Sequence, residues 1–303
     1  MKFTKMQGCG NDYVYIDCFK ETVKDPEDIA IRFSDRHFGI GGDGVIFIRP
    51  SDVADCMMDM YNLDGSRGKM CGNGIRCVGK YAYDHGIVNS TKIKVETLSG
   101  IKTLTLFPGA DGKIESVRVD MGEAVFDPDK IPLNRNELLS LAEKNSSLKY
   151  KNDILDGSCI KNFPVEINGK VFGFSFVSMG NPHAVTFIDD TDGLDILKYG
   201  PEAETHKLFP EKANIEFIQI IDRKHIKMRV WERGSGETFA CGTGACASVV
   251  VCVENGLTES EVEVTLLGGK LSIAYDKESR RVLMTGPAVE VFKGEIRENG
   301  AVK

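Results

Sequence analysis

A short stretch of this chain occurs twice, and the repetition limits what the chain can fold into. Met70-Cys71-Gly72-Asn73-Gly74 opens one apolar segment, and Ala240-Cys241-Gly242-Thr243-Gly244 opens another. The cysteines are 170 positions apart (241 minus 71), and each is followed fifteen positions later by a glycine, Gly86 or Gly256. The same offset takes Gly10-Asn11 to Gly180-Asn181, Val45-Ile46-Phe47-Ile48 to Ile215-Glu216-Phe217-Ile218, and Tyr61-Asn62 to Trp231-Glu232. A register held from Gly10 to Gly86 describes a duplicated half-molecule with one of these cysteines in each copy.

Periodicity gives each half a similar plan. In the first, Tyr13–Asp17, Val45–Ile48, Met57–Tyr61, Ile93–Thr97, Ile101–Phe107 and Ile114–Val119 read as strands, from alternation bounded by turn residues. Pro26–Arg36 reads as a helix capped by Asp25, with proline at its start. In the second half the strands are Val165–Ile167, Val171–Val177, Ala184–Ile188, Ile215–Ile221, Ile226–Trp231, Val262–Leu266, Leu271–Tyr275, Val282–Thr285 and Ala288–Phe292. A helical stretch over Leu194–Leu208 is interrupted by Pro201. The cysteine-marked helices run from Asn73 to His85 and from Thr243 to Glu254, and the second is apolar on nearly every face. A helix of that kind belongs inside something, wrapped by strands. Between the halves, Gly122 to Asn162 reads as a linker with one short helix, Glu137–Glu143, and a polar run over Lys144–Lys151. The expected domains are 1–120 plus 287–303, carrying Cys71, and 121–286, carrying Cys241; the last strand closes the first half.

Composition excludes several function classes. The chain has 38 basic and 45 acidic residues, a net charge of −7, and no basic run, which argues against nucleic acid as a partner. Its N-terminus lacks the apolar core of a signal peptide and no apolar stretch is long enough to span a membrane, so a cytoplasmic protein with no membrane partner is expected. Nine cysteines without a C-x-x-C pair point to reduced thiols rather than to disulfides or a zinc ribbon. No metal cluster and no pyridoxal-phosphate site is legible, so neither metal nor cofactor is expected. The glycine cluster Gly39–Gly44 lacks a P-loop ending and precedes a strand, so a tight turn is the better reading than a phosphate site.

A cysteine at a helix N-terminus faces unsatisfied N–H groups and the positive end of the helix dipole, which favour thiolate. The adjoining glycines leave backbone N–H groups of Gly72–Gly74 and Gly242–Gly244 open to an anion such as a carboxylate. If the halves face each other across a pseudo-twofold, a thiolate and a thiol would approach one ligand from opposite sides. That arrangement suits removal and return of a proton at a stereogenic carbon, with two helix N-termini stabilising the developing enediolate.

Asn62-x-Asp64-Gly65-Ser66-x-x-x-x-Cys71-Gly72-Asn73-Gly74-x-Arg76 resembles the signature of the diaminopimelate epimerases. Glu232-Arg233-Gly234-Ser235-Gly236-Glu237-Thr238-x-Ala240-Cys241-Gly242-Thr243-Gly244-Ala245 is similar to that family's second catalytic segment. Gly10-Asn11-Asp12, Gly180-Asn181-Pro182-His183 and Ala213-Asn214 also fit the family, so the resemblance spans essentially the whole chain. It implies an α+β fold of two pseudo-symmetric domains, each a mixed β-sheet rolled around a central helix, in a homodimer. It implies cofactor-independent interconversion of LL- and meso-diaminopimelate, for lysine and peptidoglycan precursors. On this resemblance Cys71 and Cys241 are the acid/base pair, and Asn11, Asn62, Gly72, Asn73, Asn181, Asn214, Glu232, Arg233, Gly242 and Thr243 bind the diamino-dicarboxylate substrate. Arg233 would pair with the remote carboxylate, while His183 and Glu232 would tune the thiols. The chain departs from the family where Gly44 replaces a common glutamine, where the 122–162 linker is long, and where Phe292 replaces a tyrosine that supports the dimer in some members. Two alternatives remain: a racemase of the proline or histidine type with the same two thiols, and a non-catalytic thiol redox or binding protein.

Overall fold

A computed structural model describes residues 1–144 and 148–296, with the side chains of residues 148 and 149 left aside. The chain divides into two compact units, Met1–Asp120 with Thr285–Lys303, and Met121–Met284.

The first unit begins with β1 (Lys2–Gly8) and β2 (Asn11–Asp17), then α1 (Pro26–Ser34), β3 (Gly44–Arg49), β4 (Cys56–Asn62) and the two-residue β5 (Arg67–Gly68). Helix α2 (Gly72–Asp84) follows, then β6 (Lys92–Thr97), β7 (Gly100–Pro108) and β8 (Ile114–Glu123), in which the chain leaves the unit. In the second unit come α3 (Arg135–Lys144), α4 (Leu148–Asp156), β9 (Phe163–Ile167), β10 (Lys170–Ser178), β11 (Pro182–Phe187), α5 (Ile196–Glu204), β12 (Asn214–Ile220), β13 (His225–Glu232) and β14 (Gly236–Glu237). Helix α6 (Gly242–Glu254), β15 (Glu261–Leu266) and β16 (Gly269–Tyr275) follow; in β17 (Arg281–Pro287) the chain returns to the first unit, to which β18 (Val289–Glu295) belongs.

Both sheets are mixed and share one pattern of strand sense. In the first unit the order is β18-β1-β2-β3-β4-β6-β7, antiparallel except at β2–β3 and β4–β6. In the second it is β9-β10-β11-β12-β13-β15-β16, antiparallel except at β11–β12 and β13–β15. Strand β18 thus does for β1 what β9 does for β10, which is why the end of the chain returns to the first half. Helix α2 packs on β1, β2, β4, β6 and β7, and α6 on β10, β11, β12, β13, β15 and β16. Strands on both sides of each order, from β1 to β7 and from β10 to β16, touch the same helix, so each sheet is curled around it, and the fold of each unit is α+β.

The helices at the centre are buried for a reason visible in their residues. Ile75, Cys77, Val78 and Ala82 are inaccessible in α2, as are Ala245, Cys246, Val249, Val250 and Val251 in α6. Both end on a glycine in the left-handed region, Gly86 (φ 75°) and Gly256 (φ 72°), a conformation that suits glycine and stops the helix. Helices α1 and α5 also keep the 170-residue offset (196 minus 26), each capped by an aspartate.

The structure departs from the sequence reading in places. Strand β1 was not expected, because lysines at positions 2 and 5 break its apolar face; Lys5 is buried there by pairing with Asp12 at 2.6 Å. The segment read as a linker is no tether. Ile131, Leu133, Leu138, Ala142, Ile154 and Ile160 join the core of the second unit. Helix α4 occupies part of the polar run because Ile154 is fully buried and Tyr150 packs edge-on against Phe163 at 5.0 Å. Helix α5 is shorter than expected, Ile196–Glu204, and contains Pro201. Among the described residues, no helix is long and apolar enough to cross a membrane.

Candidate active site

Each marked cysteine is the N-cap of its helix. Cys71 (φ −125°, ψ 122°) and Cys241 (φ −110°, ψ 109°) have extended backbone, and the Sγ of each accepts a hydrogen bond from the third N–H of the helix, Gly74 or Gly244, at 3.4 Å. A cap of this geometry aims the first amides outward along the dipole. The glycine at the third helical position is required by what lies beneath it. A Cβ at Gly74 would sit 2.7 Å from Ile46 Cδ1, and one at Gly244 would sit 2.7 Å from Glu216 Oε1. Ile46 and Glu216 are themselves 170 positions apart, so one slot is filled by a methyl group in one half and by a carboxylate in the other.

In the first unit, Cys71 Sγ donates to Asn11 Oδ1 at 3.2 Å, and Asn11 Nδ2 donates to Asp43 Oδ2 at 2.7 Å. Arg36 fixes Asp43 (3.0 Å) and Asp12 (2.7 Å). Tyr13 is buried in the same cluster, and burial, with Cys71 and Asp43 nearby, pushes its phenol well above the ordinary range. Asn73 Oδ1 accepts from the fully buried Arg76 at 3.0 Å. Asn62 donates to Ser66 Oγ at 3.0 Å, so its amide serves the turn between β4 and β5.

In the second unit a hydrogen-bonded chain runs through the strand ends into the helix. Glu216 Oε1 is 2.7 Å from His183 Nδ1, and His183 Nε2 is 3.0 Å from Asn181 Oδ1. Asn181 Nδ2 donates to Thr243 Oγ1 at 3.3 Å, and Thr243 Oγ1 lies 3.5 Å from Cys241 Sγ. Burial pushes the Cys241 thiol well above its ordinary range, and the carboxylates of Glu232 and Glu216 push it the same way; hydrogen bonds from Thr243 and Gly244 oppose them. The physical cause is that a thiolate in a water-poor site beside two anions is destabilised. Glu232 is also raised, first by desolvation and then by Glu216, against hydrogen bonds with Thr238 and Cys241 and the proximity of His183. Asn214 is buried and fully engaged: its Nδ2 donates to the Pro182 carbonyl and its Oδ1 accepts from the Arg233 amide, each at 3.0 Å. The Arg233 side chain is exposed and rests on the Glu211 carbonyl at 3.3 Å.

The expected residues therefore form two clusters. Asn11, Cys71, Gly72 and Asn73 gather at the start of α2, with Asn62 tied into its own turn. Asn181, His183, Glu232, Cys241, Gly242 and Thr243 gather at the start of α6, while Asn214 holds the backbone of Arg233. Sequence reasoning passed over Tyr13, Asp43, Glu216 and Thr238. The sequence holds one signal for Glu216, an acid between Ile215 and Phe217 where the first half has Ile46; its burial is seen only in the structure. At Gly44 a Cβ would lie 2.1 Å from the Tyr61 carbonyl oxygen, so no side chain fits there with this backbone. Phe292 is half-exposed on β18 and packs edge-on against Phe3 at 5.9 Å.

Comparison with known proteins shows the family to which the chain belongs. The family model described as "Diaminopimelate epimerase" matches residues 3–126 and 175–291. The chain is similar to a diaminopimelate epimerase of Agathobacter rectalis, 51% identical over 296 residues covering 98% of this chain and 99% of the relative. It is also similar to one of Acetivibrio thermocellus, 50% identical over 299 residues covering 99% of each. Among solved structures, a PhzF-family phenazine biosynthesis protein of Bacillus anthracis superposes with a TM-score of 0.67 at 17% identity, covering 98% of this chain and 99% of that one. At that identity the likeness shows the fold.

Proposed function

The chain belongs to the diaminopimelate epimerase family, and from that premise we propose that it interconverts LL- and meso-diaminopimelate without a cofactor, using Cys71 and Cys241 as its acid/base pair. One observation carries the reading: equivalent cysteines cap equivalent helices in both halves, each within reach of helix-terminal amides. Inversion at a carbon needs a proton removed from one face and another delivered to the opposite face. In one direction the thiolate of one cysteine takes the α-proton and becomes a thiol. The thiol of the other gives its proton to the carbanion and becomes a thiolate. No electrons are exchanged with a third party, and the roles reverse with direction.

The carbanion next to a carboxylate is the difficult species. Backbone N–H groups of Gly72, Asn73, Gly242 and Thr243 are the donors for its enediolate form, and a preorganised donor of this kind contributes about 3 kcal/mol. Arg233 is the partner for the remote carboxylate, where a planar fork gives orientation as well as charge. Its backbone is held by Asn214 and its guanidinium end is exposed. Asn11 and Asn181 stand one hydrogen bond and one relay from their sulfurs; Glu232 acts on Cys241 directly, and His183 through Asn181 and Thr243. A cytoplasmic place in lysine and peptidoglycan precursor synthesis follows from this activity, and the half-exposed Val289, Val291 and Phe292 on β18 support a homodimer.

The test is incubation of purified protein with LL-diaminopimelate in heavy water, with the stereoisomers resolved over time. Appearance of the meso isomer, with deuterium at one α-carbon, is expected. No exchange with diaminopimelate, alongside brisk turnover of proline or histidine, would move the protein to another racemase class. Full activity after oxidation of the thiols would remove the cysteine mechanism.

A further inference from the structure

We propose that Glu216 is a positioning residue: through His183 it sets the direction of the hydrogen-bond chain that ends on Cys241. Glu216 and His183 are both fully buried, at 0% side-chain exposure, and 2.7 Å apart. The second carboxylate oxygen of Glu216 has no hydrogen-bond partner among the described residues. A buried acid with an unsatisfied oxygen costs stability. The fold does not need it, since the equivalent position of the first half holds Ile46 and the position equivalent to His183 holds Tyr13. What the acid does is chemical. A hydrogen must lie between Glu216 Oε1 and His183 Nδ1, because both are otherwise acceptors. His183 Nε2 faces the Asn181 carbonyl oxygen and must carry a hydrogen too. Asn181 is then fixed with Nδ2 toward Thr243, whose oxygen accepts that hydrogen bond, which leaves the hydroxyl hydrogen available to point on to Cys241 Sγ, 3.5 Å away. In that arrangement every donor from the ring onward faces the sulfur. Without the acid the ring can place its hydrogen on Nδ1, the Asn181 amide turns over, and the Thr243 hydroxyl no longer faces the thiol.

The proposal rests on the epimerase reading for its kinetic half only, so the experiment has two arms. In the first, 15N spectra of the imidazoles, five in the chain, are recorded with His183 assigned by His183→Phe. Wild type and Glu216→Gln are expected to keep a hydrogen on Nε2 of His183, since a carboxamide N–H also satisfies Nδ1. Glu216→Ala is expected to give a mixture of tautomers. In the second arm, kcat for diaminopimelate is expected to stay within about threefold in Glu216→Gln. It is expected to fall roughly tenfold to a hundredfold in Glu216→Ala, with KM little changed, at the low end of general acid–base contributions. Should the alanine variant fail to fold, Glu216→Ile, the side chain found in the other half, takes its place. An unchanged tautomer and kcat in the variant lacking the acid overturns the proposal. So does equal loss in the Gln and Ala variants with the ring tautomer intact, because charge rather than direction would then be at work. A wild-type protein inert toward diaminopimelate would instead sink the functional reading and leave the spectroscopic arm to decide on Glu216.

Discussion

The cysteine cap of the first half and that of the second are alike in backbone and unlike in chemistry. Both sulfurs accept from a glycine N–H at 3.4 Å above a strand side chain that the glycine leaves room for. Around Cys241 stand His183, Glu216 and Glu232; the equivalent positions in the first half are Tyr13, Ile46 and Asn62. Cys71 donates to a neutral amide oxygen, whereas Cys241 is held as a thiol by burial and by two carboxylates. Duplication supplied two caps of the same geometry, and divergence of the strand residues beneath them gave the two sulfurs different surroundings. A two-base inversion needs one thiol in reserve, and burial and two carboxylates favour the protonated form at Cys241.

Removing either sulfur is the most severe way to test the comparison. Cys71→Ala and Cys241→Ala are each expected to reduce epimerisation by about 10²–10⁴-fold, the usual scale of a lost acid or base. Chiral separation of the product isomers measures it. If one variant kept most of its activity, the two sulfurs would not share the work, and a one-base scheme would replace this one.

The next largest effect is on stability and comes from exchanging the residues beneath the caps. Ile46 is fully buried next to a helix start with no imidazole at the equivalent of His183. Ile46→Glu therefore buries a carboxyl group with no base to share its proton, at a cost of about 3–5 kcal/mol. Glu216→Ile removes an acid whose second oxygen is unsatisfied and leaves only the His183 nitrogen short of a partner; a loss of about 1–2 kcal/mol is expected. Urea denaturation midpoints of the two variants compare them directly. Equal losses would mean that the slot tolerates either chemistry, and the contrast between the halves would carry no energetic weight.

That slot also marks where the sequence stopped being readable. The repeat, the strand run and the two central helices were legible because they rest on periodicity and on an offset that any pairwise match exposes. The cysteines were legible because Cys-Gly-x-Gly before an apolar run has a physical meaning at a helix start. Glu216 was quoted within the repeat and still passed over, since a single acid in an apolar strand looks like an outward-facing residue until burial is known. Strand β1 escaped because a buried lysine needs a partner, and Asp12 is not adjacent in sequence. Helix α4 escaped because its apolar contacts, Tyr150 and Ile154, are spaced within a polar stretch and find their partners only in the fold.

A smaller effect separates the two carboxylates acting on Cys241. Burial raises the thiol first and Glu232 second. An anion beside a thiol disfavours the thiolate, so Glu232→Gln lowers the pKa of Cys241 and increases its thiolate fraction at any pH below that value. Iodoacetamide labelling of Cys241, followed by peptide mass mapping across pH, is expected to rise at lower pH in the variant and to be several-fold faster at neutral pH. Labelling of Cys71 in the same samples is the internal control and is expected to stay put. A shift at both cysteines would point to a general loosening of the fold instead of a local charge effect.

The smallest expected effect is the one in which the halves should not differ at all. Helices α1 and α5 start 170 residues apart behind Asp25 and Asp195, whose carboxylates accept from Asp28 N at 3.1 Å and Lys198 N at 3.2 Å. Neither cap touches a cysteine cluster, so selection on chemistry has had nothing to separate there. Asp25→Ala and Asp195→Ala are each expected to cost about 1 kcal/mol, the usual worth of an aspartate cap. Epimerase activity at saturating substrate should be untouched in both. Pro201 inside α5 has no counterpart in α1, where position 31 is Ile31; it lies beyond the first turn, so the amide that Asp195 caps, Lys198 N, is not the one it removes. If Asp195→Ala proved clearly the costlier of the two, divergence would have reached the scaffold as well as the cysteine sites. Equal costs would confine the difference between the halves to the few strand residues that face the two sulfurs.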